Sequence, residues 1–106
     1  PKESANGYSI YTSKGQTKSD IIAEIFLDNM EEEFPKRKLR GLKGANLYVC
    51  RNTYCPAILI ENFFMTNESE CKELLMTEAG QSRIVDAHVQ SVMDVELIVE
   101  LTKVST

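Results

Sequence analysis

The sequence predicts an α/β fold, a three-layer arrangement of a mostly parallel twisted sheet with flanking helices, of which this chain supplies a partial domain. Three observations carry that prediction. Tyr8, Ile10 and Thr12 alternate with Ser9, Tyr11 and Ser13, the period of two expected of a strand with one buried face. Ile21, Ile22, Ile25, Phe26, Met30 and Phe34 recur at helical spacing on one face. Ala57 to Ile60, resumed at Phe63 to Met65, is apolar, β-branched and too short for a globular helix, so it reads as a buried central strand. The 106 residues suffice for one small core and are few for a three-layer enzyme.

Taken in order, Pro1 to Asn6 is polar and opens without a cap or leader, and is expected to be a cut end. After the first strand, Lys14-Gly15-Gln16 is the turn. Thr17 or Ser19 caps the first helix, Asp20 places negative charge in its first turn, and Pro35 ends it. Asp28, Glu31, Glu32 and Glu33 fall on its outward, solvated side, and Lys36-Arg37-Lys38-Leu39-Arg40 reads as a solvated basic loop. Leu39 to Ala45, with Gly41 and Gly44, is expected to be a flexible connection into a strand over Leu47 to Cys50. Strand, helix and strand then form a right-handed crossover with parallel strands. Asn67 caps a short helix whose opening acids complement its dipole. Thr77 to Gly80 is a break, and Gln81 to Lys103 is a long helix. Val95 to Val104 is rich in β-branched residues, so an end near Asp94 followed by a strand is the alternative there.

Composition excludes several classes of function. A net charge of −4 leaves no basic stripe for nucleic acid, and no run approaches the about 18 apolar residues of a membrane span. The three cysteines, Cys50, Cys55 and Cys71, have no C-x-x-C spacing. Cys50 and Cys55 are near enough to pair across a turn, although buried free thiols are the simpler reading. His88, the single histidine, lies on the apolar stripe of the last helix with no His or Cys three or four positions away, and reads as a packing residue.

The candidate site centres on Glu61, the one acid in the apolar run, expected to emerge at the carboxyl end of its strand. Ligands bind at that edge of α/β sheets, and a carboxyl group half removed from water is shifted toward acid/base work near neutral pH. If the third strand is also parallel, the loops after Thr12 and after Cys50 reach the same edge, and Arg51 and Asn52 become substrate neighbours. The alternative for Arg51 is a pairing with a local carboxylate.

The stretch Cys55-Pro56-Ala57-Ile58-Leu59-Ile60-Glu61-Asn62-Phe63-Phe64-Met65-Thr66-Asn67 resembles the signature P-A-V-L-x-E-x-x-F-M-x-N of the zinc-dependent N-acetylmuramoyl-L-alanine amidases. Gly7 to Thr17 resembles the strand and loop that follow that family's last zinc histidine, and Leu47 to Thr53 resembles its F-Y-V-L-R-x-T strand. The resemblance covers nearly the whole chain and implies the carboxyl-terminal half of a peptidoglycan amidase catalytic domain, over residues 1–106. It puts Glu61 on the catalytic glutamate and implies cleavage of the amide between N-acetylmuramic acid and the stem peptide's L-alanine, with zinc in the full-length enzyme. The zinc ligands are expected upstream of Pro1, none in this chain, with no zinc bound by it alone. Phe63 stands where the signature carries a small residue and is expected to narrow the groove beside Glu61. The implied partners are peptidoglycan or muropeptides, the implied location is the cell envelope or a released phage lysin, and exposed strands are expected to promote self-association. The alternative function is a non-catalytic half-domain that binds cell-wall fragments or a partner chain.

Overall fold

In the computed structural model, residues 5–15, 17–52 and 54–105 are described, with side chains as far as Leu101; parts of the Pro1-to-Asn6 end, the first turn and the Leu47-to-Thr53 motif lie outside them. The elements in chain order are β1 (Tyr8–Thr12), α1 (Lys18–Glu33), β2 (Leu39–Gly44), α2 (Tyr48–Arg51), β3 (Leu59–Asn62), α3 (Glu68–Glu70), a π-helical turn (Cys71–Leu75) and α4 (Glu78–Ser105). The three strands form one sheet in the order β2-β1-β3. The expected α/β architecture is present, with a mixed sheet: β1 pairs β2 in parallel and β3 antiparallel.

The first strand and helix form as their residues dictate. Tyr8, Ile10 and Thr12 are buried, and Thr12 Oγ1 donates to Asp20 Oδ1 at 2.7 Å, joining the end of β1 to the first turn of α1. Asp20 Oδ2 also accepts the Thr17 N–H, so the acid serves one of the helix's orphan donors. The apolar stripe of α1 is rotated from the expected one. Ala23, Phe26, Leu27 and Met30 are buried while Ile21 is 62 % exposed, because the helix meets the sheet along its 23-26-27-30 ridge. Asp28, Glu31 and Glu32 face water; Glu33 pairs with Arg83 of α4 at 2.8 Å.

The second strand is displaced from its expected position. Leu39–Gly44, read as a flexible connection, is β2, and Leu47 to Cys50, read as a strand, is the N-cap and first residues of the one-turn α2. The glycines that suggested a loop are accommodated by the ladder: Gly41 adopts φ +95° at an irregularity where Tyr8 pairs with Leu39 and Ser9 with Gly41. The basic cluster is therefore only partly solvated. Arg37 pairs with Glu73 at 2.7 Å, and Arg40, in β2, lies with its guanidinium 5.0 Å from the centre of the Phe64 ring.

The third strand is an edge strand in this sheet, and the central position belongs to β1. Ile60 pairs with Ile10 and packs on the core, together with Ile58 and, from β2, Leu42. The core closes on α1, Phe63, Leu74 of the π-helical turn and Ala87 of α4. Burial of side chains such as Ile10, Met30 and Phe34 contributes about 1.5–3 kcal/mol each.

The last helix runs unbroken from Glu78 to Ser105, so the β-branched residues after Val95 continue the helix and the alternative strand does not form. Tertiary packing overrides their propensity. Asn29 Nδ2 reaches Ser91 Oγ at 3.0 Å and Asp94 Oδ2 at 2.9 Å, Val95 packs on the core, and α4 lies along α1. Its other side carries Val85, Val89, Val92, Met93 and Leu97, each more than half exposed. Among the described residues, no helix is long and apolar enough to cross a membrane.

Candidate active site

Glu61 is the third residue of β3 and stands directly opposite Ser9 of β1. Its neighbour Ile60 packs into the core beneath α1, so strand alternation turns Glu61 to the opposite face of the sheet. The carboxylate is half-buried and has neither a hydrogen bond nor an ion pair among the described residues. Ser9 is fully buried, and its Oγ likewise has no partner.

The residues after Glu61 anchor it. Asn62 returns to the helix side, where its Oδ1 lies 3.1 Å from Nε2 of His88. Burial lowers the His88 pKa, which favours the neutral ring, and the imidazole meets Phe26 edge-on with centroids 5.9 Å apart. With Oδ1 as acceptor, Nε2 carries the proton. His88 is thus a packing residue that also fastens α4 to the strand of Glu61.

Phe63 then turns the chain sharply, with φ +68°, the left-handed region. Its ring is buried against Tyr8 and Phe34, at centroid distances of 5.8 and 5.1 Å. It fills the core, and the expected narrowing of a groove beside Glu61 does not occur through this ring: the left-handed backbone sends it inward.

Asn67 caps α3 as expected, its Oδ1 accepting the Glu70 N–H at 3.0 Å. Glu70 itself is 2 % exposed. One carboxylate oxygen accepts the Gly7 N–H at 2.7 Å and the other accepts the Phe64 N–H at 2.9 Å, so a single acid joins the entry of β1 to the turn after β3. The sequence offered only a weak sign of this, an acid three residues after a capping Asn, and that position normally points to a solvated helix start.

Arg51 and Asn52 lie elsewhere. Both are exposed; Arg51 donates to Asn46 Oδ1 at 3.3 Å and stacks over Tyr48, while the Asn52 N–H closes α2 on the Tyr48 carbonyl. Arg51 therefore meets an amide where a carboxylate was the alternative. The Cys50 thiol contacts the Tyr11 carbonyl oxygen at 3.9 Å, and Ala45 N–H bonds Thr12 O, which sets α2 at the carboxyl end of β1. Because β3 is antiparallel to β1, the condition that would have gathered Arg51, Asn52 and the carboxyl end of β3 at one edge is not met. Ser9, opposite Glu61, is three residues or about 10 Å of strand from Thr12.

All three cysteines are free thiols: Cys50 is buried, Cys71 half-buried and Cys55 exposed, so the pairing of Cys50 with Cys55 does not form. Among the described residues, no three His, Cys, Asp or Glu side chains converge as a metal-binding group. His88, the obvious nitrogen ligand, faces an amide. These residues do not fit a zinc ion.

The helix-flanked mixed sheet thus carries a half-buried carboxylate, Glu61, on β3, the strand entered from Pro56-Ala57-Ile58. The chain belongs to the N-acetylmuramoyl-L-alanine amidase family, whose model matches residues 1–94. It is 36 % identical over 58 residues to the endolysin of Bacillus phage SPP1, an alignment covering 55 % of this chain and 21 % of that protein. Among solved structures it is similar to the N-acetylmuramoyl-L-alanine amidase of Clostridium difficile 630, with TM-score 0.78 and 28 % identity over 86 % of this chain and 48 % of that one. The fold is also shared with the amidase AmiC2 of Nostoc punctiforme, with TM-score 0.82 and 22 % identity over 91 % of this chain and 51 % of that one. The CwlD amidase of Clostridioides difficile, solved in complex with the GerS lipoprotein, matches with TM-score 0.83 and 23 % identity over 92 % of this chain and 49 % of that one. The chain spans about half the length of these solved structures.

Proposed function

We propose that this chain is the carboxyl-terminal half of a peptidoglycan amidase domain, acting at the cell envelope or as a phage lysin on the amide between N-acetylmuramic acid and L-alanine. Glu61 is its general base and acid. The observation that carries this reading is the Glu61 carboxylate, half-buried, unpaired and set in the strand that carries the family resemblance. It takes a proton from the attacking water and returns it to the leaving amine, a role that requires a carboxylate free of a permanent cationic partner. Zinc supplies water activation and carbonyl polarisation in the family, and on this reading its ligands come from outside these 106 residues. Arg51 and Asn52 are proposed as contacts for more distant parts of the glycan or stem peptide.

The test is Glu61→Gln in the protein that carries this chain with the rest of its domain. Release of stem peptide from muropeptides is expected to fall by about 10²–10⁴ in kcat, with KM, zinc content and melting temperature retained. A folded, metal-replete variant with normal turnover would remove Glu61 from the reaction. A protein that binds muropeptides and carries no zinc would support the non-catalytic alternative instead.

A further inference from the structure

We propose that Ser9 is a positioning residue for Glu61, its hydroxyl donating a hydrogen bond to the Glu61 carboxylate and holding it in one orientation. Ser9 is the direct cross-strand partner of Glu61. It is 0 % exposed, and its Oγ is one of the buried polar atoms without a hydrogen bond. A buried hydroxyl is seldom left unsatisfied, because it has surrendered its water and gained nothing in return. On its other flank Ser9 pairs with Gly41 of β2, which offers no side chain. The acceptor across the ladder is therefore Glu61, whose carboxylate has no other partner among the described residues. Directly opposed residues have Cβ atoms about 4.5–5.5 Å apart, within reach of a hydroxyl-to-carboxylate bond once both side chains take the facing rotamers.

Such a bond has one consequence. It restricts the rotamers of an otherwise free Glu61, so the base is pre-oriented toward water. On β1 the next residue on that face is Tyr11, over whose ring Lys43 of β2 places its ammonium at 5.8 Å; Lys43 is the charged group that shares the face from the neighbouring strand.

The inference rests on the reading of Glu61 as the base, and its test separates the two. In the full-length protein, Ser9→Ala is expected to lower kcat about tenfold with KM, zinc content and melting temperature unchanged, and Ser9→Thr, which keeps the hydroxyl, to restore most of that loss. Wild-type kcat in Ser9→Ala would overturn the positioning role. So would a lowered melting temperature with no change in kcat, which marks a purely structural serine. If Glu61→Gln is inactive while Ser9→Ala is indistinguishable from wild type, only this inference fails; if Glu61→Gln is active, the reading beneath it fails.

Discussion

His88 Nε2 lies 3.1 Å from Oδ1 of Asn62, the residue immediately after Glu61, so the longest helix is fastened to the strand that carries the candidate base. Burial lowers the His88 pKa in the folded chain and so favours the neutral ring there.

A pH dependence of stability follows. The unfolded histidine titrates near about 6.5 and the folded one lower, so on acidification the unfolded chain binds its proton first. The His88 contribution is fully present above about pH 6.5 and is lost as pH falls through the folded pKa. Asp94 and Glu73, whose pKa values are lowered by hydrogen bonds from Asn29 and Gln90 and from Ser69 and Arg37 respectively, act with the same sign below the carboxylate range of about pH 4. Melting temperature measured between pH 7.5 and 5 is expected to decline, and His88→Gln to flatten that decline. Equal slopes in the two proteins would exclude His88 as the responsible group.

Glu70→Ala is expected to destabilise the domain by about 2–5 kcal/mol, because it strips the acceptor from two backbone N–H groups, those of Gly7 and Phe64, in a buried setting. Glu68→Ala, at an exposed position whose carboxylate pairs with Lys72, is expected to change stability by less than about 1 kcal/mol. Urea denaturation of the two variants checks the contrast, and a similar loss in both would deny Glu70 its bridging role.

At Phe63 two opposing terms can be separated. Truncation to Ala removes the ring packed on Tyr8 and Phe34, at a cost of about 3–5 kcal/mol, and keeps the left-handed backbone strain. Phe63→Gly loses the same ring but regains about 1–2 kcal/mol, since glycine adopts φ +68° freely. Gly is therefore expected to be the milder substitution, which reverses the order for a residue with negative φ. Equilibrium unfolding of both variants decides it.

Gly80 makes the contrary case. Alanine is the better helix former by about 1 kcal/mol, yet a Cβ at this buried position would press on the backbone of Leu74 and come within 2.7 Å of the Glu73 carbonyl oxygen. Backbone atoms cannot swing aside, so Gly80→Ala is expected to lose about 1–3 kcal/mol by prising α4 from the π-helical turn. A gain in melting temperature would show that this junction yields.

The signals legible in the sequence were those that act over a few residues. The alternation of Tyr8, Ile10 and Thr12, the start of α1 after Thr17 and its end before Pro35, the Asn67 cap and the family motif around Glu61 each depend on neighbours a turn or two away. Periodicity and capping are local physics, and the sequence by itself determined these elements and the family. Strand identity at Leu39–Gly44 was hidden because Gly41 and Gly44 lower strand propensity, and only the hydrogen bonds of β1 make that segment a strand. The direction of β3, the pairing of Ser9 with Glu61, and the burial of Glu70 beneath Gly7 join residues 54, 52 and 63 positions apart, taking Tyr8 with Asn62 for the first. Tertiary structure alone decided them: ladder hydrogen bonds and the desolvation of a carboxylate depend on which distant segments come together, and side-chain patterns within one segment carry no record of that choice.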